Sequence, residues 1–296
     1  MKALLKFFIG LLIFVVILAI IFVVLIHLTP RQYHLENVKL GDKTIEELGL
    51  ADTKIIDIYK GMKNIDKVKE SDVVSNPIDQ EEDKASAEEN FEGSNLGNTD
   101  DYSSVATQPV VYLVPKLVEY DDTTIAYILD NIVQHANADA SAEIKALKDA
   151  NISVKELSIT KESGVCKMRV VSYMDLSVYQ DQIKDALGAA ANIIPVPKQA
   201  YLVSEFTFTV NELDGKMVTT PVSVCVNGNN DDPVSAAILT VMGSMADGED
   251  VDSLNGKLGQ AIAQVVYNLG HISNSLVPPY GADGVADHKL TIATHI

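Results

Sequence analysis

Tryptophan is absent from the 296-residue chain, cysteine occurs twice, and aromatic residues make up only 6%. Two cysteines are too few for a disulfide scaffold, and so few rings supply a sugar-stacking cleft poorly. Positive charge is scarce as well: 23 Lys and Arg stand against 41 Asp and Glu, a net charge of −18. A nucleic-acid binder held by phosphate contacts needs the opposite balance. No G-x-S-x-G, Walker loop or G-x-G-x-x-G occurs, and no fixed-period repeat. What is plentiful is apolar content, 47% of the chain, which excludes a wholly disordered polymer.

The longest apolar run covers 20 residues, 7–26, with no polar side chain. Phe7, Phe8, Leu12, Phe14, Val16, Leu18, Ile20, Phe22, Val24 and Ile26 are among its bulky members. At about 1.5 Å per residue it spans about 30 Å, the thickness of a hydrocarbon core. A cleaved signal peptide would have a shorter apolar region and a small-residue cleavage site; His27-Leu28-Thr29-Pro30 offers none. Lys2, Lys6 and the terminal amine precede the run and Arg31 alone follows closely, so the N-terminus is expected in the cytoplasm and the rest outside it. The expectation is a single-pass cell-membrane protein whose partner at residues 7–26 is the lipid bilayer.

Four segments follow from composition and periodicity. Residues 1–30 are the signal anchor with short flanks. Residues 31–69 form a membrane-proximal helical segment, with Thr44-Ile45-Glu46-Glu47 as a capping box and Asp52 as a cap for helical spacing at Ile55, Ile58, Tyr59 and Met62. Residues 70–102 carry 11 Asp and Glu against one Lys, a net charge of −10, which predicts a disordered acidic linker. Residues 103–296 are expected to be an extracytoplasmic α+β domain of antiparallel β-hairpins packed with amphipathic helices.

Within that domain, Val110–Val114 is a short β-prone run, and Asp122-Thr123 opens a helix with Ile125, Ile128, Leu129, Ile132, Val133 and Ala136 on one face. A second helix covers 142–149. Hairpins are predicted at 152–174, turning at Glu162-Ser163-Gly164, and at 201–227, turning at Asp214-Gly215. Helical spacing returns over 177–191, from Asp232-Pro233, and from Leu254 to Leu269; residues 289–294 suit a last strand. In the second hairpin Phe206, Phe208, Val210, Val218, Val222, Val224 and Val226 are expected on one apolar face. Glu205, Thr207, Thr209, Thr219 and Ser223 then fall on the other, which is read as wet.

Strand parity points Cys166 inward and Cys225 outward, so two free thiols are expected rather than a disulfide. The histidines His27, His34, His135, His271, His288 and His295 show no metal-ligand spacing, and Asp247–Asp252 lacks the order of a calcium loop. No catalytic residue, metal or cofactor is assigned, and the ligand site is left unknown.

The run Phe206-Thr207-Phe208-Thr209-Val210, then Asp214-Gly215-Lys216, a second long strand, and Asp232-Pro233-Val234-Ser235 opening a helix with Ile238-Leu239 resembles the bacterial YpmS-like family of membrane-anchored proteins. The resemblance implies one N-terminal span and an extracytoplasmic α+β domain, without a reaction or a catalytic residue. This chain adds the acidic stretch and has Asp-Pro where that family favours Leu-Pro. The leading expectation is a non-catalytic binding or envelope-assembly module, with an apolar ligand between hairpins and helices or an envelope protein as partner and no nucleic acid. An envelope hydrolase with a spatially assembled site, or a purely structural tether, is the alternative.

Overall fold

The computed structural model describes residues 27–37, 39–40, 43–96, 101–149, 151–180, 197–229, 232–245, 251–274, 276 and 283–296. Among these no helix is long and apolar enough to cross a membrane. The apolar run 7–26, the helical spacing over 181–191 and the acidic turn 247–250 lie outside the described residues.

The described chain is α+β with antiparallel sheets. A four-stranded meander is built from β4 (Ile152–Glu162), β5 (Val165–Asp175), β6 (Gln199–Val210) and β7 (Met217–Val226), each pairing with the next. A smaller sheet joins β3 (Leu117–Asp121), β8 (His271–Ile272), β9 (Val285–Ala286) and β10 (Lys289–Ala293), with β10 between β3 and β8. A two-residue ladder, β1 (Lys39–Leu40) with β2 (Lys43–Thr44), comes first. The helices are α1 (Ile55–Ile65), α2 (Glu70–Val73), α3 (Glu82–Asn90), α4 (Asp122–Gln134), α5 (Ala142–Asp149), α6 (Pro233–Met245) and α7 (Val251–Leu269).

Both large hairpins turn where the sequence can supply a left-handed backbone. Ser163 and Gly164 have φ of 52° and 83°, and Gly215 has φ of 63°. The predicted stripe of α4 is buried against β4, with Ile128, Leu129, Ile132 and Val133 sealed from solvent. Leu258, Ile262, Val265 and Leu269 of α7 are buried in the core that also holds Phe206 and Phe208, and the helix packs on β7. At Gly259 the helix comes so near the sheet that a Cβ would lie 2.9 Å from the Phe206 ring and 2.7 Å from the Thr219 hydroxyl. The seam between second hairpin and helix is filled there by side chains.

Residues 70–96 correct the expectation of a disordered linker. They form α2 and α3, and their few apolar residues are spent on long-range contacts. Phe91 lies 5.2 Å from the Tyr102 ring and 6.5 Å from that of Tyr120, all three buried. Ala87 is buried beside them, and the buried Asp83 accepts from Thr124 of α4. Net charge describes the outer surface of this segment, whereas its inner surface carries the apolar anchors. Residues 31–69 share the same core, through Leu48, Leu50, Ile58 and Ile65. Val110–Val114, expected to be β-prone, forms only isolated bridges, Tyr112 to Ser94 and Val111 to His295.

Two caps also differ from expectation. Thr44 and Glu47 exchange the reciprocal bonds of a capping box, amide to Oε2 at 2.6 Å and amide to Oγ1 at 3.1 Å, yet the box closes a turn rather than opening a helix. Asp52 does not cap α1; its carboxylate takes the Arg31 guanidinium at 2.8 Å, which holds its pKa below the usual carboxylate value. The expected face of β7 is split by a bulge: Glu205 pairs with Ser223 but Phe206 with Pro221, so Val222 is surplus. Val226 is buried, while Val218 and Val222 are left exposed.

The outer face of the large sheet, read as wet, is partly covered. The strap of residues 66–76 lays Val73 over Val171, Tyr201, Val203 and Cys225. A polar clamp holds it. Glu156, fully buried at a bulge in β4, accepts from the Ser75 amide at 2.6 Å, the Ser75 hydroxyl at 3.1 Å, the Asn76 amide at 3.3 Å and Arg169 at 2.5 Å. Arg169 donates its other terminal nitrogen to the Val73 carbonyl at 2.6 Å. The β4 edge of the sheet is finished by three aspartates. Asp130 accepts from the Val154 amide at 2.7 Å, Asp122 from Ile159 at 3.0 Å and Asp287 from Lys161 at 2.7 Å.

Candidate functional site

Cys166 and Cys225 are both free, on opposite faces of the sheet as parity predicts. Burial pushes both thiols up, away from the reactive thiolate. Among the described residues no three His, Cys, Asp or Glu side chains converge on a place for a metal ion. The histidines serve separate ends. His135 closes α4 by a ring bond to the Asn131 carbonyl at 2.9 Å. His271 and His295 meet edge to face at 4.7 Å beside Tyr267. Burial, then the neighbouring His295, holds the His271 pKa below the ordinary imidazole value.

Open polar depressions mark the surface of the described residues. One, of about 370 Å³, lies between α1 and the start of α6, with Asp57, Lys60, Asn64, Asn227 and Asp232 on its walls. Part of its polar wall is already engaged: Asp232 caps α6 through the Ser235 amide at 3.1 Å, and Asn227 bonds the backbone of Tyr201 and Ile65. Another, of about 540 Å³, opens at the edge of β4, where the strap, the first turn of α4 and the β9–β10 turn meet. Its walls are Ser75, Asn76, Asp121, Asp122, Thr123, Ser158 and His288.

Asp122 and His288 form its centre. The Asp122 carboxylate is buried and accepts three bonds: Asn76 Nδ2 at 3.0 Å, the Ile159 amide at 3.0 Å and His288 Nδ1 at 2.8 Å. A carboxylate only accepts, so Nδ1 of the ring donates to it, and in the neutral form of the imidazole Nε2 is then the acceptor. The side chain is 59% exposed and lines the depression. Backbone bonds fix the arrangement from both sides, His288 N–H to the Ile159 carbonyl at 2.8 Å and Asp122 N–H to the His288 carbonyl at 3.1 Å. Ser158 and Thr123 bring hydroxyls that bond to none of the described residues, whereas the Ser75 hydroxyl is committed to Glu156.

In sequence, Asp122 read only as a helix opener and His288 as one isolated histidine among six. One signal lay in the Asp121-Asp122 doublet. A helix has a single N-cap, here Asp121, so the second carboxylate is surplus to helix initiation. No family model, curated protein or solved structure matches the chain.

Proposed function

We propose that this is a single-pass membrane protein with a cytoplasmic N-terminus, whose α+β body stands outside the cytoplasm as a binding or envelope-assembly module. The apolar run 7–26 and its flanking charges support the topology, and the resemblance to YpmS-like proteins points the same way. The observation that carries the binding reading is the β4-edge depression of about 540 Å³, lined by His288, whose Nδ1 is held by Asp122, and by the Ser158 and Thr123 hydroxyls, which bond to none of the described residues. Polar groups of this kind, convergent and unspent, are what a recognition site supplies. The strong negative charge and the Asp121 carboxylate disfavour an anionic partner, and the Asp122 carboxylate is already saturated by three donors, which favours a neutral polar partner.

Two measurements test this. Leu213 is 84% exposed, so Leu213→Cys, with Cys166 and Cys225 changed to serine, should react with a membrane-impermeant maleimide on intact cells expressing the full chain. Labelling only after lysis would overturn the topology. Glyceryl triacetate, a neutral polar ester, should shift the backbone amide resonances of Thr123, Ser158 and His288 in the micelle-embedded protein. No shift at those amides would overturn the binding site.

A further inference from the structure

Packing does not explain an imidazole at position 288. The turn is held by two backbone bonds that any residue would supply. The backbone has φ of 61°, a left-handed conformation that glycine or asparagine adopts at lower cost. The ring is more than half exposed and buries little. Nor does Asp122 need it, because Asn76 and Ile159 already engage both carboxylate oxygens. What the histidine adds is a base: a carboxylate-held ring lining the depression, as in orienter–base pairs of hydrolytic sites.

We infer that His288, positioned by Asp122, is a general base that hydrolyses a neutral carboxylic ester bound in the depression along β4. The inference rests on reading that depression as a binding site. An ester offers only hydrogen-bond acceptors, and the Ser158 and Thr123 hydroxyls on the walls, which bond to none of the described residues, can each donate to one. No Lys or Arg stands among the described residues of the walls, which disfavours a phosphate or carboxylate substrate. In the reaction Nε2 of His288 removes a proton from a solvent water, and the water oxygen bonds to the carbonyl carbon while the carbonyl electron pair moves to its oxygen. When the carbonyl re-forms, the bond to the alkoxy oxygen breaks and the leaving oxygen takes the proton back from Nε2. Acid and alcohol are the products, and nothing is oxidised or reduced. Asp122 keeps its charge throughout, fixing the tautomer and stabilising the imidazolium.

The test uses the full chain in micelles with glyceryl triacetate, following both acetate release and the amide shifts. The parent protein should release acetate, and His288→Gly should lower the rate by about 10²-fold or more. Glycine suits the backbone there and leaves room beside Asp122, so added imidazole should restore part of the lost rate. A histidine that merely supported the turn would give no such rescue. Parent and His288→Gly rates that are equal, or a variant that imidazole does not rescue, would overturn the inference. Amide shifts without acetate release would remove the catalysis and leave the binding reading standing, whereas neither signal would remove both.

Discussion

Replacing Arg169 with methionine would keep most of the aliphatic stem on the sheet and delete the guanidinium that bridges Glu156 to the strap. Stranding one member of a buried ion pair costs about 3–5 kcal/mol. Two features reduce that here. Glu156 keeps the Ser75 amide, the Ser75 hydroxyl and the Asn76 amide as donors, and the Arg169 side chain is 31% exposed, so water can replace part of what it gave. The expected loss is then about 2–3 kcal/mol, or roughly 30- to 150-fold in the unfolding equilibrium. Glu156→Gln keeps the shape but turns an amide N–H toward Arg169 or the Ser75 and Asn76 amides, all donors, and should cost a similar amount, about 2–3 kcal/mol. Urea unfolding of the full chain in micelles, followed by circular dichroism because tryptophan is absent, measures both. Hydrogen exchange at the amides of 73–76 locates the effect. An Arg169→Met protein with the parent's midpoint and unchanged exchange at those amides would refute the clamp.

Two further changes probe other parts of the body. Phe91→Ala should destabilise by about 3–5 kcal/mol in the same urea assay, since the ring is buried between Tyr102 and Tyr120; an unchanged midpoint would restore the free-linker reading of 70–102. Burial pushes the Tyr120 hydroxyl well above its ordinary pKa. Below the unfolded value, about 10, both states keep the proton; above it only the unfolded chain ionises, so stability falls as pH rises toward the folded value. Tyr120→Phe should flatten that alkaline slope in unfolding measured across the range, and an unchanged slope would refute the assignment.

Local signals carried much of this fold. Ser163-Gly164 and Asp214-Gly215 announce their turns because few residues accept a left-handed backbone, and α4 shows its stripe because one whole face is buried. The acidic stretch hid its order because seven scattered residues, Val73, Val74, Ile78, Ala87, Phe91, Leu96 and Tyr102, do its packing while charge dominates any windowed average. The face of β7 failed at Val222, since one surplus residue reverses the parity on which the alternation depends. The Asp122–His288 pair was illegible for a different reason. Its members lie 166 positions apart, and neither is unusual until β4 brings them together.

The three aspartates along β4 have a consequence for how copies of this protein behave when crowded. An incoming backbone that sought to extend the sheet would need the amides of Val154, Ile159 and Lys161, and each is already taken by a carboxylate of its own chain. Strand addition on that side would have to evict all three, so the margin is closed to fibril-like stacking. At the far margin Pro221 of β7 contributes no amide at all. A meander of four long strands is thereby able to stand at high local density without templating its neighbours.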